Sequence, residues 1–348
     1  MTNTPSPAEI RDAVRDNPKM RTRDLAQTLG ISEGELVAAH CGHTARRITV
    51  DFEKIFPGLE AAGEVMALTR NENAVHEKIG VYDKYIAGKH AAMMLGEKID
   101  TRMFPAKWAH GFALESADGD AVKRSLQFFD AQGMAVHKVH ARPATNIDKW
   151  NALVDRLAID DQSEGMAVVP AETPSETITE VPLDDLRDRW SRMKDTHQFV
   201  TILRKLNVAR LDAVRAIGED FAWQIDNSSV EAMLKLSANE KLPIMCFVGN
   251  EACIQIHSGP VANIKTMGPW LNIMDGDFHL HLRTDRIEEV WAVRKPTDKG
   301  HVTSLEAYDA DGELIIQFFG KRIEGQDERP IWREIMESLP RVDGRKAA

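Results

Sequence analysis

Cysteine is scarce in this sequence, and its scarcity excludes several kinds of site. The three cysteines, Cys41, Cys246 and Cys253, form no C-x-x-C pair. A disulfide framework or a zinc ribbon needs closely spaced cysteine pairs, and a covalent heme attachment site needs C-x-x-C-H. We therefore expect a protein of a reducing compartment, and a cytoplasmic location.

Long apolar runs and excess positive charge are also missing. No stretch approaches about 18 consecutive apolar residues, and no charged N-terminal segment precedes an apolar run, so we expect neither membrane insertion nor a signal peptide. The net charge of -10 disfavours nucleic acid or an anionic membrane as the main partner. The G-x-S-x-G, Walker and Rossmann fingerprints are absent as well, which disfavours the corresponding hydrolase and nucleotide sites.

What the sequence does contain is an internal repeat. Ser125–Gly133 reads S-L-Q-F-F-D-A-Q-G and matches Ser304–Gly312, S-L-E-A-Y-D-A-D-G, 179 residues later. Leu29–Ala39 matches Leu206–Ala216 in the same way, with an offset of 177 residues. Two nearly equal offsets in separate parts of a chain indicate a duplicated domain.

The repeat predicts two copies of one α+β domain. We place the first copy at 1–165, a linker at 166–184 within an acidic and Pro-rich surface stretch, and the second copy at 185–348. Alternating segments such as F-H-L-H-L at 278–282, together with turns such as D-A-D-G at 309–312, predict antiparallel hairpins. Each copy should therefore have a large antiparallel sheet with flanking helices, and a ligand cleft between the sheet and the helices.

The N-terminal segment at 20–42 contains two short helical patterns around L-G-I-S, which resemble a helix-turn-helix. Its second helix carries Glu33 and Glu35, where a DNA recognition helix needs Arg, Lys, Asn or Gln. Because the pattern also recurs in the second copy, we interpret it as architectural and expect no DNA binding.

A helix predicted at 194–206 places one histidine in an unusual position. Its apolar residues form a core-facing stripe, and His197 falls on the opposite side. A solvated surface histidine is the simple alternative. The matching position in the first copy is Met20, however, so only the second copy offers an imidazole there. One histidine with cations from both copies, including Arg102, would suit a planar, anionic, metal-containing ligand such as heme.

Several long motifs carry a resemblance to a known family. They are D-T-H-Q-F at 195–199, D-T-R-M-F-P-A-K-W at 100–108, V-R-K-P-T at 293–297 and Q-F-F-G-K-R at 317–322. Together they resemble the bacterial hemin-degrading factor family of the HemS/HmuS type. The resemblance covers nearly the whole chain, including the duplication.

The resemblance implies a site for one heme b (iron protoporphyrin IX), held mainly by the second copy. His197 would be the proximal iron ligand, and Arg102 the distal arginine with a catalytic role. Pocket and propionate contacts would come from Arg210, Phe247, Lys295, Gln317 and Arg322. Phe319 departs from the pattern, because some members have a tyrosine there.

The function implied is that of a cytoplasmic heme-binding protein in a bacterial heme-uptake system. It would degrade heme and release iron with electrons from an external reductant. The alternative is a heme chaperone that delivers intact heme to a separate heme oxygenase. Both functions need the same pocket, so the residues leave open whether the protein is an enzyme. A heme-uptake ABC transporter or a heme oxygenase is the expected protein partner.

Two other histidine groups are rival candidates. His40, Cys41 and His43 could contribute to a transition-metal site, but they lie too close together to close a tetrahedral site alone. His279 and His281 alternate on one predicted strand, and His281 matches Arg102 in the repeat. His281 is therefore a candidate for a second heme contact.

Overall fold

The computed structural model describes residues 4–88, 90–119, 121–170, 181–322 and 327–342. The chain divides into two compact units. Unit 1 consists of Met1–Arg70, His76–Glu172 and Gly249–Gln255. Unit 2 consists of Asn71–Val75, Thr173–Val248 and Ile256–Ala348. The boundaries predicted at 165 and 185 stay a prediction.

The helices follow the apolar periodicity of the sequence. In chain order they are α1 Pro7–Asp16, α2 Thr22–Leu29, α3 Glu33–Ala38, α4 Phe52–Ala62, α5 Ile147–Leu157, α6 Leu183–Ser191, α7 Gln198–Leu206, α8 Arg210–Ala216, α9 Ser229–Asn239 and α10 Pro330–Ser338.

The strands are short and mostly joined by tight turns. Those before α6 are β1 Ala45–Ile48, β2 Val65–Arg70, β3 Ala74–Gly80, β4 Tyr85–Ile86, β5 Ala92–Leu95, β6 Asp100–Met103, β7 His110–Asp118, β8 Ala121–Phe129 and β9 Ala135–Ala141. Those after α6 are β10 Ala222–Ile225, β11 Ile244–Gly249, β12 Cys253–Gly259, β13 Ile264–Met267, β14 Trp270–Met274, β15 Phe278–Arg283, β16 Glu289–Thr297, β17 Gly300–Tyr308 and β18 Leu314–Gly320.

The two units share one strand order. In unit 1, antiparallel neighbours run β1-β7-β8-β9-β2, and β4, β5 and β6 form a separate antiparallel run. In unit 2 the corresponding runs are β10-β16-β17-β18-β11 and β13-β14-β15. Strands β7 to β9 recur 179 residues later as β16 to β18. The predicted α+β fold and the tandem duplication are thus confirmed.

The long sheet run of unit 2 separates two layers of side chains. One face contributes Val290, Ala292, Leu305 and Phe318 to a core that includes residues of α9 and α10. On the other face, Val293 joins buried residues of α6, α7 and α8. Strand residues alternate between the two faces. Lys295, two positions after Val293, therefore lies on the face that packs against α6, α7 and α8.

Two local expectations differ from the structure, and a third feature, the acidic residue Glu33, has an internal role. Helix α7 begins at Gln198 rather than at residue 194, and His197 is its N-cap residue. Helix α6 begins at Leu183, inside the predicted surface linker, and its Leu186 is fully buried. In the first unit, Glu33 at the start of α3 is buried and accepts hydrogen bonds from Arg70 (2.7 Å) and Lys138 (2.5 Å), so its acidity serves an internal ion cluster.

Candidate functional site

The candidate site begins with His197, which stands at the start of α7 with its side chain 92% exposed. The Oδ1 atom of Asp195 accepts hydrogen bonds from the backbone N–H of His197 (2.7 Å) and from its ring Nδ1 (2.6 Å). An ionised carboxylate can only accept, so Nδ1 is the donor, and in the neutral ring the lone pair of Nε2 is left for a ligand. A metal-binding histidine commonly has this arrangement, with a carboxylate behind the imidazole.

A buried aromatic ring links this end of α7 to a group of cations. Phe199 is 1% exposed and packs edge-on against Trp190 of α6, with ring centroids 4.7 Å apart. The guanidinium carbon of Arg210 lies 5.0 Å from the Phe199 centroid, and Nζ of Lys295 lies 4.8 Å from it. Both distances suit cation–π contacts, so two predicted site residues lie against α7, the helix whose N-cap residue is His197.

The two cations converge on a carboxylate that the sequence reasoning did not single out. Glu306 of β17 has no exposed side-chain surface. Its carboxylate accepts hydrogen bonds from Arg210 Nε and Nη2 (both 2.8 Å), Lys295 Nζ (2.7 Å), Ser304 Oγ (2.7 Å), Tyr308 Oη (2.6 Å) and Gln317 Nε2 (3.0 Å). We call these six residues the Glu306 cluster.

Opposite charges keep the Glu306 cluster ionised despite its burial. Burial opposes charge on Glu306, but Arg210 and Lys295 hold the pKa of its carboxyl well below the ordinary value. Burial lowers the pKa of Lys295 to about 8, with Glu306 acting against the shift. At neutral pH the cluster therefore holds two positive charges and one negative charge.

An apolar surface lies beside the cluster on the same face of the sheet. Phe247 of β11 is directly opposite Gln317 of β18, and the rings of Phe247 and Phe319 meet edge-on with centroids 5.1 Å apart. Both phenylalanines are half-buried, whereas Cys246 and Phe318, on the other face, are buried. This face thus offers aromatic surface next to fixed charge.

Arg322 is exposed, just beyond β18. The pKa of Asp195 is lowered, first by the hydrogen bond from the His197 backbone and in smaller part by the positive charge of Arg322. Unit 2 thus brings His197, Arg210, Phe247, Lys295, Gln317 and Arg322 to neighbouring elements. Their roles toward a ligand remain predictions.

Arg102 belongs to unit 1, on β6 opposite Met93 of β5. Its guanidinium donates to Oδ1 of Asp100 and to the carbonyl of Thr101 (3.1 Å). The Arg102 side chain is about one-third exposed. Its catalytic role also remains a prediction.

The rival histidine groups show other arrangements. Across the described residues, no group of three or more His, Cys, Asp or Glu side chains could hold a metal ion. His43 contacts Glu164 at 3.3 Å and lines a cavity of about 500 Å³ in unit 1 that contains none of the predicted site residues. His281 is held through Nδ1 by Oδ1 of Asn272 at 2.6 Å, on the same face of β15 as His279.

Comparison with known proteins identifies the family. The model of the haemin-degrading HemS.ChuX domain matches residues 30–157 and 207–339, one match in each copy of the repeat. The hemin transport protein HemS of Yersinia enterocolitica is 39% identical over 332 residues, which cover 95% of this chain and 96% of that protein. This chain belongs to the HemS/ChuX family.

Solved structures agree with this family assignment. Holo-PhuS, a heme-binding protein from Pseudomonas aeruginosa, superposes with a TM-score of 0.94 at 41% identity, over 97% of this chain and 100% of PhuS. ChuS, a heme degrading enzyme from Escherichia coli O157:H7, superposes with a TM-score of 0.87 at 35% identity, over 95% of this chain and 97% of ChuS.

Two important residues of this family member were missed by sequence reasoning. Asp195 lies inside the D-T-H-Q-F motif, and its spacing of two residues from His197 could have suggested the contact. Glu306 lies in the S-L-E motif, where the first copy has Gln127, and this change of charge between copies is a signal that sequence alone provides.

Of the helices that the structure describes, none is long and apolar enough to cross a membrane.

Proposed function

We propose that this protein binds heme b, with Nε2 of His197 as the proximal iron ligand. The observation that carries this proposal is the hydrogen bond of 2.6 Å between His197 Nδ1 and Asp195. It orients the ring, fixes the tautomer and leaves Nε2 available at an exposed helix start. The heme-binding and hemin transport relatives support the ligand class.

The surroundings of His197 fit an anionic porphyrin in chemical type. Phe247 and Phe319 supply half-buried aromatic surface, which suits a flat apolar macrocycle. The surplus positive charge of the Glu306 cluster suits a propionate, since guanidinium and ammonium groups are the usual partners of carboxylates. In this proposal Arg210, Lys295, Gln317 and Arg322 provide the polar contacts.

The proposed reaction is oxidative opening of the porphyrin with release of iron. Bound heme would be the substrate and would itself supply the iron centre for oxygen chemistry, while electrons come from an external reductant. His197 would hold the iron, and the aromatic surface would limit water access. Arg102 keeps the proposed catalytic role of hydrogen-bond donor to reacting oxygen. The ChuS enzyme supports this version of the function.

The second candidate function is delivery of intact heme to a separate heme oxygenase. The observation that favours it is the exposure of His197, because an axial ligand at an open helix start can exchange with an acceptor. Transport is also the role in the name of the Yersinia relative. A heme-uptake ABC transporter would be the donor in either case.

A hemin titration followed by ascorbate under air distinguishes the two functions. Catalase is included, because free peroxide destroys heme without an enzyme. Degradation predicts a saturable one-to-one Soret band that bleaches to an open-chain tetrapyrrole with released iron. Delivery predicts a Soret band that is stable to ascorbate and moves only when an acceptor protein is added. Absence of a saturable band would contradict both functions.

A further inference from the structure

Glu306 occupies the centre of the long sheet run of unit 2. It lies on β17, opposite Trp291 of β16 and Gln317 of β18. Five side chains donate to its carboxylate, and three of them, Arg210, Lys295 and Gln317, are the polar residues of the candidate site in the sheet and α8. Few carboxylates receive so many side-chain donors, so this residue determines where three site residues point.

The internal repeat shows that this fold does not need a carboxylate at that position. The strand matching β17 in the first copy is β8, and the residue matching Glu306 is Gln127, whose Nε2 bonds to Ser125 at 3.1 Å. The position matching Arg210 at the start of the helix is Glu33. The same strand order therefore forms in unit 1 with the charges placed differently. The negative charge at Glu306 is a property of the second copy, the copy that carries His197.

The charge balance of the cluster indicates what Glu306 does. Arg210 and Lys295 bring two positive charges, Glu306 brings one negative charge, and the remaining side chains are neutral at pH 7. One positive charge is left over. Both cations lie close to the ring of Phe199, which is two residues from His197 in the chain. Without Glu306, the cluster would have no anion to hold either cation in place.

We propose that Glu306 is a positioning residue of the ligand site: it fixes Arg210, Lys295 and Gln317 as a cluster whose surplus positive charge selects a ligand bearing a carboxylate. The inference rests on the proposed heme-binding function and adds the residue that holds its polar contacts in place. Glu306 itself is buried and acts through the cations.

The test compares hemin with its dimethyl ester, which keeps the iron and the ring but lacks both carboxylates. The affinity ratio of hemin to ester isolates carboxylate recognition, because effects on the iron–His197 bond appear in both ligands. Glu306→Gln introduces the residue that the first copy has at this position. We expect the wild-type protein to favour hemin over the ester, and Glu306→Gln to lower that ratio about tenfold.

Glu328→Gln is a matched control. Glu328 is also a buried carboxylate of unit 2 and accepts bonds from Thr303 N (2.7 Å) and Arg333 Nε (3.3 Å), but it contacts none of the predicted site residues. We expect this variant to keep the wild-type ratio. If Glu306→Gln does not fold, Glu306→Asp replaces it, because the shorter carboxylate keeps the charge and loses the reach. It should lower the ratio several-fold.

The pH profile gives a second readout. Lys295 contacts Ser304 and Glu306 of β17 and the ring of Phe199 of α7, and the charge of Arg210 of α8 also acts on it. Burial lowers the pKa of Lys295 to about 8. In the wild type, the preference for hemin should therefore decline as pH rises above about 8. In Glu306→Gln the decline should start at lower pH, since the anion that favours the protonated amine is gone.

The outcomes separate this inference from the proposed function. If the wild type shows no saturable Soret band with either ligand, the proposed function fails. If it binds hemin but does not prefer it to the ester, or if folded Glu306→Gln keeps the wild-type ratio and pH profile, the inference about Glu306 is overturned and heme binding stands.

Discussion

At the residue scale, the candidate site depends on how the chain enters α7. The sequence predicts a helix from residue 194, but Asp195 bonds to the backbone N–H of His197, and the Gln198 side chain accepts from the N–H groups of Lys194 (2.8 Å) and Asp195 (3.3 Å). Such local side-chain bonds compete with helix formation. The asymmetry between His197 and Met20 could be found in the sequence, whereas this turn, which exposes the imidazole, could not.

Asp195→Asn should weaken heme binding about tenfold, within the range for a carboxylate behind a metal-binding histidine. The amide can still accept from Nδ1, but it lacks the negative charge that makes the imidazole a stronger donor to iron. The reduction potential of bound heme should therefore rise. Hemin titration and redox titration measure the two effects.

Asp185→Asn serves as the control for this prediction. Asp185 is an exposed carboxylate of α6 that pairs with Arg189 at 2.6 Å, away from His197 in the chain. It should leave both affinity and potential unchanged. Equal affinity and potential in Asp195→Asn and wild type would show that the carboxylate does not assist an iron ligand.

At the element scale, the spacing of apolar residues located most of the fold. A spacing of two residues indicated the strands, and a spacing of three to four residues indicated the helices. The alternation at 278–282 corresponds to β15, and the D-A-D-G turn predicted at 309–312 lies between the antiparallel strands β17 and β18. Helix α6 was missed because its first turn, with Asp184 and Asp185, reads as linker charge. Those acids favour the positive end of a helix, and only the burial of Leu186 reveals that the segment packs.

Helix α7 ends with Asn207 in the left-handed conformation, at φ 53°. Asparagine tolerates this region and alanine does not, so Asn207→Ala should lower the free energy of unfolding by about 1 kcal/mol. Asn207→Gly should equal or slightly exceed the wild type, because glycine has no Cβ to strain. Chemical denaturation of the three proteins measures the difference. Equal destabilisation by Ala and Gly would mean that the Asn side chain, rather than the backbone conformation, stabilises this end.

At the scale of the whole molecule, the repeat predicts the architecture but not how the copies have diverged inside. Unit 1 contains a buried polar network in which His137 contacts Tyr82 Oη (2.6 Å) and Thr69 Oγ1 (2.8 Å), and Thr69 donates to Gln255 (2.9 Å). The residue matching His137 in the second copy is Ile316, which is buried in an apolar core. The members of the network are far apart in sequence, so no spacing could reveal it.

This network should make unit 1 sensitive to mild acid. Burial lowers the pKa of His137 to about 3. In the unfolded chain the ring of His137 takes up a proton near pH 6.5, whereas the folded unit keeps the ring neutral. The contribution of His137 to the free energy of unfolding is therefore full above that pH and falls as the pH drops toward 3. The loss from His137 should reach about 2 kcal/mol at pH 5. Denaturation at several pH values measures the slope.

His137→Asn should be less stable at pH 7 and should show a smaller loss between pH 6.5 and 5. Tyr82→Phe is the control, because it removes one hydrogen bond but leaves His137 buried, and it should keep the wild-type slope. His140, whose pKa burial lowers to about 4, adds the same slope to all three proteins. An unchanged slope in His137→Asn would contradict the assignment.

The role of His197 as iron ligand is tested most directly by a hemin titration of wild type and His197→Ala, with His43→Ala as control, since His43 is an exposed histidine of unit 1. Wild type and control should each show one saturable Soret band of histidine-ligated heme. His197→Ala should lose that band and bind hemin at least about tenfold more weakly. The same spectrum and affinity in His197→Ala would show that His197 is not the iron ligand and would direct the search to His281.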